Sequence, residues 1–239
     1  MEIKKYKDLL DYYKKELSMM DYIHCNSKIT ESVYSQFLPN ANYNILPITH
    51  TGINDNRRKK DFSSNNIQFM FVGNITAYKG FPLLKEILIK LFNEGYHNWE
   101  LHIWGGKEKT DNDCPLIHHR GKYVQNEIES IYEQTDLLIV PSIWKETFSL
   151  VTLEAISYGV PVLVSENVGA KDIVAQYSSF FIFKDKNDLY IKLKNLLQSN
   201  EKLIEFNNQI IEYPWKYSIE QHTKDIENLI YKPLLNSIK

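Results

Sequence analysis

Cysteine is scarce in this chain of 239 residues, with Cys25 and Cys114 the only two. Two cysteines cannot staple a loop-rich secreted fold, and their spacing forms no metal-ligand motif; no metal site is expected, and a reducing compartment is, with the cytoplasm as the default. No apolar run approaches the roughly 20 residues that a membrane span needs. The N-terminal stretch MEIKKYKDLLDYY is a charged helical pattern and not a secretory signal. Neither sign of charge dominates. With 28 basic and 30 acidic side chains the net charge is -2, which excludes a strong non-specific pull toward nucleic acid or an anionic membrane. No nucleic-acid partner is expected. Internal repeats and low-complexity segments are missing too. What remains is a chain that is 43% hydrophobic, enough for one large core or a domain and a half, with small-molecule chemistry as its business.

Between about residues 67 and 183, short runs rich in β-branched and aromatic residues alternate with helical patterns and turn residues. Strands are read at IQFMFV (67–72), ELHIW (100–104), LIHHR (116–120), DLLIVP (136–141), PVLVS (161–165) and FFIF (180–183). The spacing predicts helices over 81–93, where Leu83, Leu84, Ile87, Leu88 and Leu91 form an apolar face, over 124–134, and over 148–157 before Gly159 and Pro161. This rhythm gives an α/β class: a Rossmann-like, doubly wound parallel sheet with helices on both faces, whose ligands bind beyond the carboxyl ends of the strands. The flanks differ. Residues 2–17 form an amphipathic helical pattern, followed by a short strand at DYIHC, a helix around 28–38 and ILPI. The stretch 51–66, TGINDNRRKKDFSSNN, is polar enough for a linker or exposed loop. After the last strand, helices are read over 187–198, 201–211 and 218–231, with Pro214 and Pro233 as breaks.

The residues after the strands carry the chemistry. The first strand runs into GNITAYKG, where Gly73 permits close backbone approach, the amides at the next helix favour an anion and Lys79 adds a full charge. An ordinary turn with a surface lysine is the plainer alternative. Walker A and GxGxxG patterns are both absent. Gly105-Gly106-Lys107 forms a second tight turn, and Arg120-Gly121 closes a third strand at the ligand side. The pair His118-His119 invites a metal, but neighbours in a strand point to opposite faces. After the fourth strand comes PSIWKETFSLVTLEA. A helix that begins near Thr147 or Phe148 presents free amides to a phosphate, with Glu146 at its entrance. Glu154 follows roughly 10 Å along the axis, a span comparable with that from a diphosphate to the far side of a ribose. The alternative is a helix-start acid in Glu146, favoured by the macrodipole, and a solvated face residue in Glu154.

Those residues resemble glycosyltransferase family 4, retaining enzymes of the two-domain GT-B fold. The resembling pieces run in order over about residues 67–230: GNITAYKG, LHIWGG, HHRGKY, the segment from TDLLIVPSIWKETFSLVTLEA to GAKDIV, and YPWKYSIEQH. The most specific is the Glu-x7-Glu pair with GVPV downstream. The resemblance implies that Glu146 contacts the donor sugar, Glu154 the nucleotide ribose, and Lys79 with the amides of Thr147, Phe148, Ser149, Leu150 and Val151 the diphosphate. Gly73, Asn74, Gly105 and Arg120 complete the expected donor site, with Glu146 and Lys79 as its catalytic pair. Asn74 stands where the family usually has arginine, so half of the diphosphate clamp is missing, and Lys145 or Lys107 is available to compensate. Ser149 stands where glycine is common.

The resemblance divides the chain into a remnant of an acceptor-side domain (1–50), a linker (51–66), a donor-binding domain (67–213) and a C-terminal helix (214–239), the C-terminal half of a GT-B fold. Its expected partners are a nucleotide-diphosphate sugar as donor substrate, with no cofactor, a glycan or lipid-linked acceptor, and a separate acceptor-domain subunit. Two readings stay open: a glycosyltransferase donor domain, and a nucleotide-sugar-binding or regulatory module without turnover. The first helix leaves a peripheral place at the membrane open, although packing of its apolar stripe against the protein is the plainer expectation.

Overall fold

The computed structural model describes residues 2–106 and 113–237, so Lys107 lies outside the described residues. The chain opens with helix α1 (Glu2–Leu17), strand β1 (Ile23–Cys25), helix α2 (Lys28–Tyr34) and strand β2 (Tyr43–Ile45). Strands β1 and β2 pair in parallel as a two-stranded sheet, over a small cluster of Ile23, Cys25 and Leu38. Strand β2 lies earlier than the ILPI segment suggested, because Pro47 has no amide to give to a ladder. The stripe of α1 is not packed as expected. Tyr6, Leu9, Tyr12 and Tyr13 are all more than half exposed.

Residues 51–66 contain no helix or strand, yet they are not the exposed loop their polarity suggested. Ile53 and Phe62 are buried in the main core, Asn56 donates its amide to the carbonyl of Ser157, and the Lys60 amide donates to Asn207 Oδ1 at 3.1 Å. Two apolar residues set among the charges, Ile53 and Phe62, strap the segment down.

The main sheet comprises β3 (Ile67–Val72), β4 (Trp99–Trp104), β5 (Ile117–Gly121), β6 (Leu137–Val140), β7 (Val162–Ser165) and β8 (Ile182–Phe183). All pairs are parallel, in the order β5-β4-β3-β6-β7-β8. In sequence terms this is the 3-2-1-4-5-6 order of a doubly wound sheet, and the winding reverses between β3 and β6. Strand β3 reads as a nearly continuous apolar run because both of its faces are covered; Phe69 and Met70, on opposite faces, are both buried. Phe69 stacks on Trp99 with ring centroids 6.2 Å apart.

Helices α3 (Phe81–Asn93), α4 (Ile128–Glu133), α5 (Leu150–Ser157), α6 (Lys171–Tyr177), α7 (Lys186–Gln198) and α8 (Glu201–Glu212) surround the sheet. The helix read at 124–134 opens as a 3-10 turn over Gln125–Glu127 before α4. Helix α5 starts at Leu150 and not Phe148, because Ser149 takes φ 93 and cannot continue a right-handed turn. Helix α6 was not read from the sequence: its seven residues are too few to display a period. The FFIF strand shrinks to two residues behind a 3-10 turn at Ser179–Phe181. At the end, Pro233 does not stop the chain. Helix α9 (Ile219–Ile226) passes through a π turn over Glu227–Tyr231 into α10 (Lys232–Ser237), so the helical path continues past Pro233.

Candidate functional site

The carboxyl edge between β3 and β6 is built by one tight approach. Gly80 takes φ 75, and a Cβ there would fall 1.7 Å from the carbonyl oxygen of Pro141. Only glycine allows the loop after β3 to lie on the loop after β6. That approach delivers Lys79, whose Nζ donates to Glu146 Oε1 at 2.9 Å. Ser142 Oγ, just past β6, donates to the other oxygen, Oε2, at 2.6 Å. Glu146 therefore has both carboxylate oxygens held, with its side chain 16% exposed. Ser142 was not among the residues expected here; its place directly after the β6 run was the available signal.

The backbone after Glu146 is held on one side. Glu146 bridges to Val168, its carbonyl accepting from the amide of Gly169 at 2.9 Å. The Thr147 carbonyl accepts from Ser27 Oγ at 2.5 Å, and the Phe148 carbonyl from the amide of Ala170 at 2.7 Å. Three successive carbonyls are thus engaged. The amides of Thr147, Phe148, Ser149, Leu150 and Val151 make no hydrogen bond within the described residues, which leaves a row of donors at the start of α5. Ser149 is the one non-glycine residue with positive φ among those described. Its hydroxyl accepts from Thr152 Oγ1 at 3.1 Å, so its side chain turns into α5 instead of capping it.

At neighbouring strand ends two glycines meet. A Cβ on Gly105 (φ 95) would lie 3.1 Å from the amide nitrogen of Gly73, and the Gly73 amide donates to the carbonyl of Trp104. Asn74, next in the loop, is exposed. Lys145 is exposed as well and lines an apolar groove with Ile29, Val33, Tyr34 and Trp144.

Glu154 is no solvated face residue. Its Oε2 accepts from Tyr132 OH at 2.8 Å, and the Tyr132 ring stacks on Tyr158 with centroids 5.0 Å apart. Burial pushes the Glu154 carboxyl above the ordinary glutamate range, while the Tyr132 hydrogen bond and the charge of His50 pull the other way. Tyr123 is near enough for the same carboxylate to raise its phenol further beyond what burial does. Neither tyrosine was singled out from the sequence.

Arg120 stands apart from this group. Its Nε donates to His102 Nδ1 at 3.0 Å, and it lines a cavity of about 440 Å³ with Trp104, Asn126 and Ser130 between β4, β5 and α4. The structure brings Lys79 and Glu146 together; it does not bring Arg120 to them. The two histidines diverge as strand alternation requires. His118 stacks on His102 at 5.3 Å, and His119 meets the Phe81 ring edge-on from the opposite face.

Comparisons with known proteins bear on the family and the fold. A sulfoquinovosyl transferase of Arabidopsis thaliana is 29% identical over 172 residues, 67% of this chain and 32% of that protein. Sucrose-phosphate synthase from Thermosynechococcus elongatus superposes with a TM-score of 0.71 at 17% identity, covering 97% of this chain and 62% of that one. HepE from Anabaena, solved in complex with UDP and glucose, superposes with a TM-score of 0.66 at 14% identity over 88% of this chain and 63% of that one. The chain spans about a third of the curated relative and less than two thirds of both solved structures, and at those identities the structures speak for the fold, a GT-B Rossmann-like architecture. The family described as Glycosyl transferases group 1 matches residues 52–214, more than half of the chain, and the chain belongs to that family.

Proposed function

We propose that the main sheet is the donor-binding part of a retaining glycosyltransferase of family 4, in the position of the C-terminal half of a GT-B enzyme, and that it takes a nucleotide-diphosphate sugar. The observation that carries this reading is the Lys79–Glu146 pair across the reversal point of the sheet, with the unpaired amides of Thr147–Val151 beside it. A diphosphate fits those amides as an anion fits a helix start. Lys79 supplies a full positive charge where Asn74 adds none, and it acts with the amides on the charge that gathers on the diphosphate as the sugar leaves. Glu146 would be repelled by phosphate and is suited to sugar hydroxyls, which it reaches with an orientation fixed by Ser142. Glu154, held by Tyr132, suits the ribose hydroxyls. The acceptor, a glycan or a lipid-linked molecule, approaches from a further domain or subunit, with the two-stranded sheet of β1 and β2 as part of that side. The retaining outcome rests on the likeness of the Glu-x7-Glu segment to the family.

Calorimetric titration with uridine, guanosine and adenosine diphosphates, followed by a transfer assay with the corresponding sugar donors, tests the proposal. One diphosphate is expected to bind, and its sugar form more tightly. Absence of binding by all three overturns the donor reading, and binding without transfer to any acceptor favours a nucleotide-sugar-binding module.

A further inference from the structure

We infer that Ser27, on the N-terminal flank and 120 residues away in sequence from the loop it touches, is a positioning residue for the donor site; the inference rests on the donor-binding reading above. Ser27 is 3% exposed, and its hydroxyl has two tasks. It caps α2 by accepting the Thr30 amide at 3.2 Å, and it donates to the carbonyl of Thr147 at 2.5 Å. Thr30 Oγ1 lies 3.4 Å from the same carbonyl but gives its proton to Asn26 Oδ1 at 2.7 Å. A third residue closes the contact: a Cβ on Gly169 would fall 2.6 Å from Ser27 Oγ and 2.0 Å from the Thr147 oxygen. Only a residue without a Cβ fits at position 169 beside this bond.

The carbonyls on either side of Thr147 are held by backbone amides, those of Gly169 and Ala170. The middle one is held by a side chain, and it belongs to the peptide unit that carries the Phe148 N–H. Because a peptide unit is planar, fixing its oxygen fixes the opposite direction of its N–H. Ser27 thereby aims the Phe148 amide, second in the unpaired row, at the place where a diphosphate would sit, and it steadies the residue that follows Glu146. A contact that only held the two parts of the chain together would stabilise the fold without favouring phosphate over the rest of a nucleotide.

The test compares each nucleoside diphosphate with its phosphate-free nucleoside on the full chain, in wild type, Ser27→Ala and Ser27→Thr, with a thermal melt of each. Ser27→Ala is expected to weaken the diphosphate about tenfold, the size of one lost hydrogen bond, with nucleoside affinity unchanged and with recovery in Ser27→Thr. Equal losses for both ligands, or no loss for either, overturn the inference while leaving donor binding standing. A wild type that binds no diphosphate overturns the donor reading and the inference with it. If Ser27→Ala does not fold, the wild-type Phe148 amide resonance decides: it is expected to shift with diphosphate and stay still with nucleoside, and a still resonance in both is the contrary result.

Discussion

At the scale of single residues, the proposed donor site gives the two acids in the Glu-x7-Glu segment separate duties that substitution can separate. Glu146→Gln keeps the shape and the Ser142 contact but removes the charge, so the diphosphate should bind at least as well, with Lys79 released to it. The sugar-bearing donor should lose its advantage over the bare diphosphate in paired titrations. Lys79→Met should do the opposite, weakening the diphosphate by about 10- to 100-fold, the range of a charge-assisted hydrogen bond. Glu154 sets a pH dependence. Its carboxyl titrates above the ordinary glutamate range because it is buried, and only the ionised form accepts two ribose hydroxyls. Donor affinity should therefore fall on acidification from a higher pH than an ordinary glutamate would give, and Glu154→Gln should flatten that part of the profile. Ser149 pays in backbone strain for a conformation that glycine adopts freely, with φ 93. Ser149→Gly should stabilise the fold by about 0.5–1 kcal/mol, read as a rise of about 1–4 °C in the thermal midpoint.

At the scale of elements, α4 shows how a helix end can be held from a segment with no regular structure. Lys60 Nζ donates to the carbonyls of Tyr132 and Glu133 at 2.9 Å each, where the last turn has orphan acceptors. Arg58 pairs with Glu129 at 2.6 Å and also with Glu133. Burial lowers the Lys60 ammonium to about 8. The unfolded chain holds that proton up to the ordinary lysine value of 10.5, so the contribution of Lys60 to stability rises with pH from about 8 toward 10.5. The difference in thermal midpoint between wild type and Lys60→Met should widen in favour of wild type over that window; a constant difference would remove Lys60 as the cause. The strands β3 and β4 and the helices α1, α3 and α7 were legible to within a residue, since long apolar periods mark them. What escaped were short elements and turns set by tertiary contacts: α6, the two-residue β8, and the start of α5, where a left-handed serine overrides an apolar run. Residues 51–66 escaped for the same reason. Their charges read as a loop, while Ile53, Phe62 and Lys60 bind them to the core.

At the scale of the whole molecule, the proposed site lies where the winding of the sheet reverses; the strand rhythm in the sequence pointed to the carboxyl ends of the strands and not to which of them. Nor were the partners of the site legible there. Ser142, Tyr132 and Ser27 are far in sequence from the residues they hold, or carry no pattern that marks them, and no periodicity reveals such contacts. Arg120 shows the converse: it lies at the end of β5 as read, but strand alternation and a bond to His102 carry it into a cavity against α4. The exposed aromatic stripe of α1 and the exposed Leu229, Tyr231 and Leu235 near the other end of the chain sit outside the main core. Among the described residues no helix is long and apolar enough to cross a membrane. A structure determined with uridine, guanosine or adenosine diphosphate soaked into the protein tests the central claim most directly. The account predicts the diphosphate against the amides of Phe148–Val151 and Lys79 Nζ, with the ribose at Glu154; a nucleotide seated in the His102–Arg120 cavity, with the α5 amides untouched, would contradict it.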